Sequence, residues 1–139
     1  MPPRILGYYH IGIRVSDAAR SNDFYTRLGF VMDHSLSNER VSEMVTSDGT
    51  RINLIYNGHS RPGAHNILLD EEVKWPGHTH GAFIVDSLQT IVDWAAENGV
   101  TITEGPVDWG RRHTCFLRDP DGNVLEFNEL VGAGASERQ

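Results

Sequence analysis

The chain states one pattern twice. His10, Val15 and Gly29 recur 70 positions later as His80, Val85 and Gly99, and Asp48, Gly49 and Asn53 recur 73 positions later as Asp121, Gly122 and Glu126. Two offsets so close to each other describe an internal duplication with a short difference in length, and a duplicated unit constrains a fold more than any single motif. In the first copy, Tyr8 to Val15 alternates, with Ile11, Ile13 and Val15 on one face of a strand and His10, Gly12 and Arg14 on the other. Ser16-Asp17 offers a helix N-cap, Ser21, Phe24/Tyr25 and Leu28 fall at helical spacing, and Gly29 marks the helix end. Strand-like runs follow at Phe30 to Ser35, Arg40 to Thr46 and Thr50 to Tyr56, the last two joined by the turn residues Ser47-Asp48-Gly49. The unit reads βαβββ.

The second copy repeats this order. His80 to Val85 alternates, and Asp86-Ser87 precedes a helical run with Leu88, Ile91, Val92 and Ala95, closed by Gly99. Strands are expected at Val100 to Thr103, Arg112 to Leu117 and Val124 to Asn128. Arg118-Asp119-Pro120-Asp121-Gly122-Asn123 joins the last two, because Pro120 fixes φ, the aspartates bond locally and Gly122 accepts positive φ. The expected organisation is a single α+β domain: a first module at about 6–57, a linker at 58–79, a second module at about 80–130 and a flexible tail at 131–139. Two such modules can bury their helix faces while their sheets curl around one funnel-shaped interior.

Composition narrows the classes. A chain of 139 residues, 39% hydrophobic and 22% charged, has the make-up of a soluble globular domain. Its net charge of -7 and scattered arginines argue against a nucleic-acid partner. No apolar run reaches the roughly 18 residues of a membrane helix. Met1-Pro2-Pro3-Arg4 leads almost at once into a strand, so no signal peptide is expected. Cys115 is alone, which excludes an internal disulfide and fits the cytoplasm.

The duplication places chemistry at equivalent positions. His10 and His80 lie on the first strands of the two units, Asn53 and Glu126 on the last, all on the face opposite the apolar residues that meet the helices. Two imidazoles and a carboxylate in one funnel are a divalent-metal set with open coordination positions. A lone strand histidine is more often a surface residue than a ligand; it is the repeat together with Glu126 that favours ligation. His78 shares a strand face with His80 and is the alternative if the register slips, although Val85 and the helix start align with His80.

These residues carry a resemblance. His10-Ile11-Gly12-Ile13-Arg14-Val15-Ser16-Asp17, Phe24-Tyr25 and Leu28-Gly29-Phe30 match the vicinal oxygen chelate superfamily, as do His80-Gly81-Ala82-Phe83-Ile84-Val85 and Asp119-Pro120-Asp121-Gly122-Asn123-Val124-Leu125-Glu126. That superfamily includes glyoxalase I, extradiol dioxygenases, methylmalonyl-CoA epimerase and the bleomycin resistance proteins, and the match spans nearly everything from Tyr8 to Glu129. The resemblance implies one divalent ion per subunit (Fe, Mn, Ni, Co or Zn) held by His10, His80 and Glu126, and a homodimer. Asn53 stands where glyoxalase I supplies a further glutamate. An amide coordinates weakly through its oxygen and cannot take a proton from carbon.

The remaining candidates depend on strand register. Glu43 is expected to point inward from its strand and to be a possible base, beside Glu126. Arg112, Thr114 and Phe116 share a face that can line the substrate cavity with Asn53, Arg112 being suited to a substrate carboxylate or, equally, to solvent. His113 and Tyr56 are the candidates for the acid-base pair of a dioxygenase, with a surface role as the plainer reading of His113. Cys115 reads as a core residue. Three functions are open: a dioxygenase-like metalloenzyme, which the neutral Asn53 slightly favours; a glyoxalase- or epimerase-like lyase or isomerase; and a ligand-sequestering protein of the bleomycin-resistance kind. Trp75, Trp109 and Ile67-Leu68-Leu69 lie in loops where a second subunit can cover them.

Overall fold

The structure is a computed structural model that describes residues 1–132. It divides into two compact units, one from Met1 to Ser60 and one beginning at Arg61. The first contains β1 (Ile11–Arg14), α1 (Ala18–Arg27), β2 (Val31–Asp33), β3 (Val41–Val45) and β4 (Arg51–Ile55). The second contains β5 (His80–Val85), α2 (Leu88–Glu97), β6 (Ile102–Asp108), β7 (Arg112–Arg118) and β8 (Val124–Leu130). Each forms a four-stranded sheet, ordered β1-β4-β3-β2 and β5-β8-β7-β6. In each the first strand runs parallel to the last and the other pairs are antiparallel. The expected α+β architecture of tandem βαβββ modules is therefore present. Among the described residues no helix is long and apolar enough to cross a membrane.

The duplication extends to strand register. Gly12 pairs with Asn53, and 70 and 73 positions on Ala82 pairs with Glu126. Glu43 pairs with Asn53 as Phe116 pairs with Glu126.

In the first unit Asp17 caps α1, accepting from the Arg20 amide at 2.9 Å. The helix buries Ser21, Phe24 and Tyr25. The sheet face it covers carries Ser42, Met44, Ile52 and Leu54, all fully buried. A hydrogen-bond relay joins the layers there: Ser42 Oγ donates to Asn22 Oδ1 at 2.9 Å, and Asn22 Nδ2 donates to the Tyr56 hydroxyl at 2.9 Å. The run expected as a strand to Ser35 stops at Asp33, whose carboxylate caps a 3-10 turn over His34–Leu36.

In the second unit Cys115, Leu117, Leu125 and Phe127 form the face toward α2. Each such buried aliphatic or aromatic side chain contributes roughly 1.5–3 kcal/mol. Ser87 occupies the N-cap of α2 but makes no side-chain cap bond; Glu129 Oε1 accepts from the Leu88 amide at 2.7 Å instead. β6 runs through Gly105 and Pro106, a pair that reads as a strand breaker. It is tolerated because β6 is the outer strand of its sheet, where a missing N–H costs no ladder bond, and the register shifts there.

The connector after Ser60 belongs to the second unit. Asn66 Nδ2 donates to the Gly122 carbonyl at 3.0 Å, and Arg118 holds Asp70 through two bonds of 2.7 Å. Apart from Val131 and Gly132, the tail expected to be flexible (131–139) lies outside the described residues.

Candidate metal centre and active site

Each unit places its histidine at the same point, where its first strand begins and two residues before the residue that pairs with Asn53 or Glu126 on the last strand. In the second unit His80 Nε2 lies 3.3 Å from Glu126 Oε1. Glu126 is 7% exposed, and its second oxygen accepts from Asn128 Nδ2 at 2.8 Å. Asn128 is itself fixed, because Thr114 Oγ1 donates to its Oδ1 at 2.8 Å. Thr79 Oγ1 lies 2.9 Å from His80 Nδ1, and the Phe116 ring stands edge-on to the imidazole at 5.6 Å. Strand pairing explains the grouping: Ala82 and Phe116 flank Glu126 from the strands on its two sides, so their side chains, with His80, emerge on one face. His78 lies outside β5, whereas His80 begins it and stands beside Glu126.

In the first unit the carboxylate comes from a different strand. His10 Nδ1 lies 3.1 Å from Glu43 Oε1, and Asn53 Nδ2 donates to Glu43 Oε2 at 2.9 Å. Glu43 points inward and is 3% exposed. Arg51 approaches it at 3.8 Å, contacts Asp33 at 3.4 Å and lies over the Tyr9 ring at 5.7 Å. The Ser35 hydroxyl first, and then Arg51, hold the Asp33 carboxyl below its ordinary range.

Each unit brings together one imidazole and one buried carboxylate. Imidazole nitrogens and buried carboxylate oxygens are the ligands divalent ions select, and an imidazole fixed through one nitrogen presents the other. Among the described residues no group of three or more His, Cys, Asp and Glu side chains is arranged to hold a metal.

The other candidates separate by face. Thr114 is fully buried, with its hydroxyl committed to Asn128, so it braces Glu126 through that amide. Arg112 is exposed and stacks over the Trp109 ring at 5.2 Å. His113 does not join the His80–Glu126 group. It pairs across the strands with Glu129 on the α2 side of the sheet, lies 3.5 Å from Asp108, and lines a shallow depression of about 370 Å³ with Leu88, Val92 and Pro106. Tyr56 is likewise engaged on the helix side, by Asn22. Cys115 is fully buried, and burial pushes its thiol up, as befits a core residue. Sequence reasoning missed Asn128 and Thr79, although both lie within two residues of a candidate ligand.

Comparison with known proteins shows the family. A probable lactoylglutathione lyase of Vibrio cholerae serotype O1 is 34% identical over 140 residues, covering 90% of this chain and 93% of that protein. The lactoylglutathione lyase of Escherichia coli O157:H7 is 27% identical, covering 90% and 93%. The crystal structure of a glyoxalase/dioxygenase from Nostoc punctiforme superposes with a TM-score of 0.75 at 25% identity, covering 95% of this chain and 96% of that one. The profile of the Glyoxalase/Bleomycin resistance protein/Dioxygenase superfamily matches residues 7–127, and the chain belongs to that superfamily.

Proposed function

We propose that the chain is a divalent-metal-dependent enzyme that binds a small substrate through adjacent oxygens and moves a proton on it, as a lyase or isomerase of the glyoxalase type. One observation carries the reading: in both repeats the histidine where the first strand begins meets a buried carboxylate, Glu43 in one and Glu126 in the other. Relatives called lactoylglutathione lyase support the reaction class.

His10, His80 and Glu126 would hold the ion, with the Asn53 amide as a weak fourth donor. When bound, the ion supplies Lewis acidity to the substrate's oxygens, which makes the neighbouring carbon more acidic. Glu126 is the side chain to accept and return the proton, its carboxylate kept in place by Asn128. Phe116 packs beside His80 and narrows the site. Arg112 offers a guanidinium to an anionic group of the substrate. The working form is a cytoplasmic homodimer.

A second reading, a ring-cleaving dioxygenase-like oxidoreductase, is favoured by Asn53, which leaves the place equivalent to Glu126 uncharged. Metal analysis of the purified protein comes first. Metal-dependent solvent-deuterium incorporation into α-hydroxycarbonyl compounds, without oxygen uptake, supports the lyase or isomerase. Oxygen uptake with catechols supports the second reading. A protein that binds no ion overturns both and leaves a ligand-sequestering role.

A further inference from the structure

The two repeats present their histidines with carboxylates from different strands. In the second, the carboxylate is Glu126 on β8, and the equivalent of Glu43 is Phe116, which packs against the imidazole. In the first, β4 carries Asn53 at the place of Glu126, and β3 carries Glu43 at the place of Phe116. The charge has moved one strand across, and with it the nitrogen it meets: Nε2 in His80, Nδ1 in His10.

We propose that Glu43 is a positioning residue, which locks His10 in its Nδ1–H form and so presents the Nε2 lone pair to an incoming divalent cation. A carboxylate only accepts, so the 3.1 Å contact places the proton on Nδ1 and leaves Nε2 as the donor atom. Both Glu43 oxygens are occupied, one by His10 and one by the Asn53 amide, which argues against a free base at this position. At 3% exposure, water cannot readily replace the carboxylate. Asn53 thereby serves to aim Glu43. Arg51 at 3.8 Å, with Asp33 behind it, balances the buried charge. The inference rests on the metal-binding reading above, because an ordered Nε2 lone pair is useful to a cation.

The experiment uses the full-length protein labelled with ¹⁵N and stripped of metal, at about pH 8. Long-range proton-nitrogen spectra read the His10 tautomer, and titration with Zn²⁺ alone reads affinity. The unaltered protein should show Nδ1–H at His10, the minor form of free histidine. Glu43→Leu should lose that preference and weaken Zn²⁺ binding about 10- to 100-fold. Glu43→Gln, whose amide oxygen still accepts and which covers the case in which the leucine variant does not fold, should keep the tautomer and lose less affinity. Nε2–H at His10 in the unaltered protein, or the same tautomer in Glu43→Leu, overturns the proposal, as does unchanged Zn²⁺ affinity in that variant. If the unaltered protein binds no Zn²⁺ yet shows the expected tautomer and its loss in the variant, the functional reading falls while the orientation of His10 by Glu43 stands.

Discussion

Arg118 grips Asp70 through two guanidinium-carboxylate bonds of 2.7 Å, fastening the long connector to the hairpin that leads into Glu126. The Arg118 guanidinium first, and then the Asn66 amide, hold the Asp70 carboxyl well below the usual carboxylate range. Asp70 in turn raises Arg118.

Stability should therefore depend on Asp70 at acid pH. An unfolded aspartate titrates near 3.9, above the folded value, so the unfolded state binds the proton more readily. The contribution of the pair is complete above about pH 5, begins to fall below about 4 and is lost only as the pH falls through the depressed folded value. Asp70→Asn should lower Tm by a constant amount above about pH 5, and the gap to the unaltered protein should narrow steadily as the pH falls below about 4 toward the depressed folded value. A gap that does not change with pH would show that the pair adds no charge-linked stability.

Gly122 sits at the same junction with φ of +83°, and a Cβ there would stand 2.0 Å from the Ala64 carbonyl oxygen. Gly122→Ala meets both backbone strain and a clash with main chain. It should cost about 2 kcal/mol or more, read as a shift in the denaturant midpoint. Gly49, at φ of +86° with open space around its Cβ position, carries only the strain, and Gly49→Ala should cost about 1 kcal/mol.

What is legible in the sequence is whatever repeats or alternates. The offsets of 70 and 73 reappear as the pairings Gly12 with Asn53 and Ala82 with Glu126, because a duplicated chain must keep its strand register to keep its faces. The inward aim of Glu43 depends on strand register, which the sequence leaves open and the pairing of Glu43 with Asn53 supplies. What escapes has no local signature. The bond from Glu129 to the Leu88 amide spans 41 positions and the contact of Asn66 with Gly122 spans 56, so neither the cap of α2 nor the docked connector can be read from neighbouring residues. β6 extends beyond its expected end because Gly105-Pro106 signals a break, and only its place at the sheet edge removes that objection. Residue type alone makes His113 a candidate, whereas alternation already puts it on the face opposite Phe116.

The metal proposal predicts about one divalent ion per subunit. Replacing His10, His80 or Glu126 with alanine should weaken binding by more than about 100-fold, since two remaining ligands hold such an ion poorly. His78→Ala should leave affinity unchanged. Calorimetric titration of the metal-free protein reads both, and loss of binding in His78→Ala with retention in His80→Ala would refute the assignment.

The dimer is predicted from what the chain leaves uncovered. Trp75 is 65% exposed, Trp109 48% and Ile67 44%, and the segment before β1 exposes Ile5, Leu6 and Tyr8 almost completely. That much apolar surface favours a partner, and a second copy of the chain is the occupant the superfamily suggests. Sedimentation at micromolar concentration should give about twice the 15.5 kDa chain mass. A monomer there would overturn the prediction.

The sharpest prediction concerns Asn53, because it separates the reaction classes. A glyoxalase I reaction moves a proton between neighbouring carbons, and by the superfamily resemblance it uses an ionisable base at the place of Asn53 as well as the carboxylate at the place of Glu126. Asn53 cannot ionise, and Glu43 is occupied by His10 and by Asn53 itself. The unaltered protein should therefore show negligible turnover of the hemithioacetal of glutathione. Asn53→Glu would set a second carboxylate against Glu43, where the amide now donates at 2.9 Å. Without metal, two like charges at that distance repel, and Tm should fall by a few degrees. With metal, the added charge should tighten binding about tenfold, so the ion should raise Tm more in the variant than in the unaltered protein. A lyase or isomerase should gain a trace of hemithioacetal activity, whereas a dioxygenase should lose rate, because the new carboxylate takes a position needed by oxygen or substrate. Robust hemithioacetal turnover by the unaltered protein would sink this argument and make Glu126 a sufficient base on its own.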